Sequence, residues 1–353
     1  MLRRTPLLLT VFLGLTVSNW TAAIEPDASA SVYGRPAETA EVAVAPQLPR
    51  MAEAGLSGDA AVDRGADDLS PDDPEAAARA ERIITACITG LARESSISAR
   101  MRQRVRVGDQ SMVGAGLYLQ AGLGEDQRYR FESSLAADPR SHTAAAAEFF
   151  TVETLEVLDG ASFWTYRRWG ENPVEVHRVD VARVRQRVET VTHVTGPDAP
   201  AITQHIGGVP RILAWLREWF VFTQATSAEI DGMPVWLVEG QWIPAQAKRM
   251  FPEIAEQIQG DQVPAELLPD GVPWRVRLSI GKRELFPFRI EYLAVPGERP
   301  VATREAETVG VFELYDVRLG EPVDQTAFIY SPASNAVIDT TEGHIGGIFG
   351  PRP

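Results

Sequence analysis

The sequence predicts an α+β fold dominated by a large curved antiparallel sheet. Three observations predict it. The chain opens its folded part with a stretch of helical period, continues with many stretches of period two, and inserts short amphipathic segments of helical period between them. DDPEAAARAERIITACITGLARESS places Pro74 where a first helical turn tolerates it, and Ile83, Ile84, Cys87 and Leu91 recur on one side. ISARMRQRVRV then reads as a strand, GDQ as a turn, SMVGAGLYLQAG as a second strand, and GEDQ as the turn before RYRFESSL. In this meander the apolar side falls on Val113, Ala115, Leu117 and Leu119, then on Tyr129, Phe131 and Leu135. EFFTVETLEVLDGASFWTYRRW is a hairpin turning at LDGAS, and VDVARVRQRVET is a helix with Val181, Val184 and Val188 on one side.

RILAWLREWFVF, begun by Gly208 and Pro210, carries apolar residues at 212, 215, 216, 219 and 220, a stripe that docks a helix on the sheet. TQATSAEI and VWLVEGQWI pair around DGMP. AQAKRMFPEIAEQIQG is a further helix interrupted by Pro252, and PWRVRLSIG, FPFRIEYLAV and ETVGVFELYDVRL return to strand. The count is nine or ten strands, an N-terminal helix and three inserted helices, forming one domain over residues 74–340.

The ends differ in kind. MLRR followed by PLLLTVFLGLTV and TAA, ending at Ala23, has the n-region, short apolar core and small cleavage residues of a secretory signal peptide, so export to the periplasm is expected. Residues 24–73 are rich in Asp, Glu, Ala, Pro, Ser and Gly with only Arg35, Arg50 and Arg64 opposing. That composition predicts a disordered acidic tether. Residues 341–353 are expected to be a flexible tail. Cys87 is the only cysteine, which excludes an intramolecular disulfide framework and leaves the fold to be held by its core. The formal charge of −14, much of it in the tether, argues against nucleic acid.

The usual chemical signatures are missing from the sequence. His142, His177, His193, His205 and His344 are scattered without metal-ligand spacing, so no metal and no cofactor is predicted. There is no GxSxG elbow and no SxxK, and His177 with Asp180 reads better as a polar helix entry than as part of a triad. The chain is therefore expected not to be an enzyme. Gly114 and Gly116 sit inside a strand, where they mark a close backbone approach more than a phosphate loop.

Two features carry functional weight. Arg100, Arg102, Arg104 and Arg106 alternate and so share one face of a strand. They form either a solvated face paired with cross-strand acids or a basic strip for an anionic partner. The domain is also rich in aromatics, and a helix over the concave side of a half-closed barrel can leave a ligand void. Trp215, Trp219 and Phe220 are the expected lid contacts, with Leu117, Leu119, Tyr129, Phe131, Trp164 and Tyr166 on the sheet side.

With these elements in order, VFELYDVRLGEPVDQTAFIYSPASNAVIDTT resembles the closing segment of the LolA/LolB superfamily of bacterial lipoprotein carriers and related exported proteins. Pro322, Asp324, Phe328, Pro332 and Asp339 fill its pattern, and Pro287 before an alternating strand and the DGMPVWLVEG turn also fit. The resemblance implies a helix-covered open barrel with a hydrophobic cavity for acyl chains, and hence a periplasmic carrier of lipid or lipoprotein. An envelope sensor or protein-interaction module on the same fold is the alternative it leaves open. On the lid reading, Trp219→Asp is expected to abolish lipid retention with native circular dichroism.

Overall fold

A computed structural model describes residues 74–107, 110–138, 151–192, 203–295, 306–332 and 337–349. The expected signal peptide and tether lie outside the described residues. Helix α1 (Pro74–Arg93) buries Ala76, Ala80, Ile83, Ile84, Cys87, Ile88 and Leu91, the three-and-four spacing of one helix face. It is followed by β1 (Ser96–Val107), β2 (Gln110–Ala121), β3 (Arg128–Ala137), β4 (Thr151–Leu158), β5 (Ser162–Trp169) and β6 (Glu175–Asp180). Helices α2 (Val181–Thr192), α3 (Thr203–Ile206) and α4 (Gly208–Trp219) come next. The chain then returns to sheet as β7 (Phe220–Ile230) and β8 (Met233–Trp242), passes through α5 (Pro244–Met250), and continues as β9 (Arg275–Gly281), β10 (Pro287–Ala294) and β11 (Glu307–Leu319). It ends with the short strand β12 (Val337–Asp339) and helix α6 (Thr341–Phe349).

All twelve strands form one sheet, in the order β12-β6-β5-β4-β3-β2-β1-β11-β10-β9-β8-β7. Its terminal strands, β12 and β7, are not paired with each other, so the sheet curves without closing. Every pairing is antiparallel except β12 on β6. The expected α+β class and open antiparallel sheet are therefore observed, with more strands than the alternation alone distinguished.

Helices α1, α2 and α4 pack with the inner face of the sheet into one main core. Helix α1 lies against β7 and α4, covering the end of the sheet that has no further strand. In β2 the inner face is Met112, Gly114, Gly116 and Tyr118. A Cβ on Gly116 would stand 2.0 Å from the Glu132 carbonyl oxygen and 2.3 Å from Met101 Cε. The close approach read from the two glycines is thus real, and it lets the neighbouring strand and the Met101 side chain come together over β2.

Two expectations are corrected. The segment from Pro244 is helical only to Met250, because Pro252 cannot continue the ladder and starts a 3-10 turn instead. The expected C-terminal tail contains α6, held by polar caps. Asp339 Oδ1 accepts from the Thr341 N–H at 2.9 Å, and Thr341 Oγ1, fully buried, accepts from the Asp180 N–H at 2.9 Å.

The closing segment singled out by sequence has a definite route. After β11 it crosses the outer face of the sheet, where Ser96 Oγ donates to the Glu321 carbonyl at 2.6 Å and Arg130 donates to the Ala327 carbonyl at 3.0 Å. Asp324 caps the 3-10 turn Gln325–Phe328 by accepting from the Thr326 N–H at 2.9 Å, and Phe328 is buried. Tyr330 meets Trp164 with ring centroids 5.8 Å apart. Beyond it, β12 joins the β6 edge and α6 turns to the inner side, where His344 contacts Phe163. Its described parts therefore form a strap that lies on the outer face up to Pro332 and on the β6 edge and inner side from Val337 onward.

Candidate functional site

Helix α4 owes its position to both of its ends. Gly208, at φ +74°, adopts the left-handed conformation that favours glycine, and Pro210 supplies a preset φ in the first turn. At the other end Trp219 passes directly into Phe220 of β7, so the helix is anchored to the sheet without a loop. Between these ends Ile212, Leu213, Trp215, Leu216 and Trp219 are buried.

The aromatic face interlocks. Trp215 and Trp219 stack at 5.8 Å, Trp215 and Phe220 lie at 6.2 Å, and Phe220 meets Trp242 at 4.7 Å. Trp242 also meets Trp219 edge-on at 6.0 Å and Phe251 at 5.7 Å, while the Arg249 guanidinium covers Trp219 at 4.7 Å. These separations are those of packed aromatic pairs. Trp215, Trp219 and Phe220 are thus brought together as expected, but as filled interior in this arrangement of the chain. The indole N–H of Trp242 donates to the Pro273 carbonyl at 2.6 Å, whereas the buried N–H of Trp215 has no hydrogen-bond partner.

The sheet-side residues divide. Tyr129 and Phe131 are fully buried on the inner face, Tyr129 against Tyr118 (6.5 Å) and Phe163 (6.0 Å) and Phe131 stacked on Phe312 at 6.3 Å. Leu117, Leu119, Trp164 and Tyr166 are on the outer face, the opposite side from the one expected. The register fixes this: Tyr118 and Phe131 are cross-strand partners on the inner side, so Leu117 and Leu119 point outward beside Glu132 and Arg130. Hydrophobic alternation misled in β2 because its inner positions include two glycines, which carry no apolar signal. In β5 the inner positions are Phe163, Thr165 and Arg167, while Trp164 faces out, donates to Asp159 at 2.9 Å and lies under Arg178.

The arginine row also faces out. Arg102 pairs with Glu313 at 3.1 Å, Arg106 with Glu307 at 2.6 Å and Arg100 with Asp316 at 3.6 Å. Further along the same face Arg289 pairs with Glu291 at 2.9 Å and Arg277 with Glu239 at 2.8 Å. This is a mixed-sign surface across five strands. Arg104 has no ion pair among the described residues. A groove of about 470 Å³ runs along α1, lined by residues including Glu81, Thr85, Ala86 and Gly90, and it contains none of the predicted site residues.

Sequence reasoning missed a buried polar seam beneath the start of α4. Glu156, on the inner face of β4, is fully buried and accepts from Tyr129 Oη at 3.1 Å and from the Gly208 N–H. Burial pushes its carboxyl up to about 7, although Arg167, Tyr129 and Gly208 all pull the other way. Tyr118 Oη donates to Gln120 Oε1 at 2.7 Å and accepts from the Val209 N–H, and Gln120 in turn donates to the Leu91 carbonyl at 3.0 Å. Thr203 Oγ1 donates to the buried Gln127 at 2.8 Å. His344 bonds the backbone of His205, and burial beside Arg211 holds both imidazoles low, at about 4. The double glycine before a helix was the only signal of this seam in the sequence. TVETLEVL is equally mixed on both faces and hides Glu156.

No group of three or more His, Cys, Asp or Glu among the described residues is arranged to hold a metal ion. No described helix is long and apolar enough to cross a membrane.

No protein-family model matches the chain, and no curated protein does. Solved structures give neighbours at low similarity. LprF from Mycobacterium bovis is 11% identical, with 70% of this chain and 96% of that chain covered and a TM-score of 0.31. A DUF1329 family protein from Desulfovibrio piger is 10% identical, with 72% and 97% covered and a TM-score of 0.28. An outer membrane lipoprotein-sorting protein domain from Vibrio parahaemolyticus is 10% identical, with 70% and 97% covered and a TM-score of 0.25.

Proposed function

We propose that this chain is a non-enzymatic, exported carrier or binding protein for acyl chains of lipid or lipoprotein, which it takes up between the sheet and α4. The observation that carries this reading is the aromatic interior under α4, where Trp215, Trp219, Phe220, Trp242 and Phe251 interlock beside a helix that starts at the Gly207–Gly208 pair. The arrangement described is then the closed one. A ligand enters by moving α4 and taking the place of ring–ring contacts, and the unpartnered Trp215 indole N–H gains an ester or carboxylate acceptor.

The energetics are adequate for binding without extensive polar recognition. A sixteen-carbon chain yields on the order of 12 kcal/mol gross on burial, at about 0.8 kcal/mol per methylene. Association and ordering costs, together with the displaced ring contacts, remove several kcal/mol or more, which leaves an affinity of roughly micromolar order. A carrier has to release its cargo, and a moderate affinity gated by a moving helix serves that need.

The test is native mass spectrometry of the protein purified from its own envelope, with organic extraction of bound material, followed by titration with a fluorescent fatty acid. Co-purifying lipid, or saturable uptake that quenches tryptophan emission, is the expected result. A protein that is empty and takes up no fatty acid overturns the reading.

A further inference from the structure

The first residues of the cover, 203–209, meet the sheet through hydrogen bonds as well as apolar packing. Gln127 takes Thr203, His344 bonds the His205 backbone, Glu156 accepts from Gly208, and Tyr118 accepts from Val209. Glu156 is the carboxylate of this seam. It is fully buried, its Oε1 has no hydrogen-bond partner, and its Oε2 faces Gly207 so closely that a Cβ there would lie 3.0 Å away. Lifting Gly207 and Gly208 removes what covers it on the helix side and gives its unpartnered oxygen to water.

We infer that Glu156 is a proton-dependent latch: the α3–α4 cover is held down while this carboxyl carries its proton and lifts when it ionises, so that pH governs access to the acyl site. The regulatory role rests on the carrier reading above; the latch itself does not. The ionisable groups around the seam are Tyr129 on β3, Tyr118 on β2 and Arg167 on β5, with Glu175 of β6 acting on Arg167. On the covering side they are His205 and Arg211, and His344 from α6. Only Arg167 among these favours the ionised carboxylate by its charge, and it does not offset burial.

The sign follows from linkage. The carboxyl titrates at about 7 with the cover closed and near its ordinary 4.5 when exposed. Opening therefore becomes easier as pH rises from about 4.5 to about 7 and is level above that. His205 and His344 act oppositely, since they favour opening as pH falls below their ordinary 6.5. A single-residue comparison separates the two.

The experiment is hydrogen exchange of peptides covering residues 203–219 in the full chain, wild type and Glu156→Gln, between pH 5 and 8. The ratio of opening constants, wild type over variant, is expected to rise roughly five- to sevenfold per pH unit and about fortyfold between pH 5 and 7, then level off. A ratio independent of pH overturns the latch. Should Glu156→Gln not fold, side-chain carbon NMR of glutamate-labelled wild type decides. One carboxyl titrating near 7, and moving upward in Tyr129→Phe, supports the latch, and every glutamate titrating below about 5.5 overturns it. Fatty-acid uptake measured at the same pH values keeps the two readings apart. Opening that depends on pH without uptake at any pH overturns the carrier reading alone, and uptake with pH-independent opening overturns the latch alone.

Discussion

Adding a single methyl group at Gly207 tests how tightly the cover is seated. The backbone there is extended, at φ 177°, so any residue is conformationally tolerated and the effect is one of space alone. A Cβ at this position would lie 1.8 Å from Tyr129 Oη, 2.8 Å from Tyr129 Cζ and 3.0 Å from Glu156 Oε2. The tyrosine cannot easily retreat, because it is fully buried between the rings of Tyr118 and Phe163. Either the ring shifts and loses its bond to Glu156, or the start of α4 lifts. Overpacking of this kind costs about 1–3 kcal/mol, and a lost bond to a buried carboxyl adds about 1–3 kcal/mol. Gly207→Ala is therefore expected to lower stability by roughly 2–6 kcal/mol in urea unfolding. Combining it with Tyr129→Phe, which removes the nearest atom, should recover part of that loss, giving a coupling of about 1 kcal/mol or more in the double-mutant cycle. A loss below about 0.5 kcal/mol, or strict additivity of the two changes, refutes the reasoning.

Three further outcomes are expected. Trp219→Asp, which the lid reading of the sequence expected to leave circular dichroism native, should cost more than about 3 kcal/mol, because it places a carboxylate among Trp215 and Trp242; thermal denaturation reads it, and outright unfolding would make Trp219 core and count against α4 as a lid. Phe328→Ala should cost about 3–5 kcal/mol and raise exchange in β12 and α6 before the rest of the sheet, since Phe328 anchors the strap that leads to them; uniform loss of protection would count against that role. His344 is held at about 4 by burial, so its contribution is complete above its ordinary 6.5 and is lost as pH falls toward 4. The amount is about 3 kcal/mol, and His344→Gln should flatten the acid limb of the stability curve by that much, as urea unfolding at pH 4 and 7 would show.

The fold was legible in the sequence where one local period dominates. The α1 stripe from Ala76 to Leu91, the strands β1, β3 and β10, and the amphipathic face of α4 are set by residue spacing, and spacing survives whatever the neighbours are. The closing segment was legible only as a resemblance; that Asp324 and Asp339 cap turns and that Phe328 is buried is set by the folded chain. The arginine row was placed correctly on one face. Its partners Glu307, Glu313 and Asp316 come from a strand some two hundred residues later, and no spacing rule reaches that far.

What only the tertiary structure decided is which face is inside and what fills it. Leu117 and Leu119 look like core, yet Gly114, Gly116 and Tyr118 face inward, and at positions 114 and 116 the close approach of the β3 backbone, with Leu135 and Met101, leaves no room for a Cβ. Glu156 looks like one more surface acid, yet it lies under Gly207 and Gly208, where burial changes its chemistry. By itself the sequence determined most of the longer elements, their order and the aromatic character of α4. It did not determine that Trp215, Trp219 and Phe220 interlock with Trp242 and Phe251, since packing depends on contacts between distant segments and local patterns record only which residues prefer to be buried.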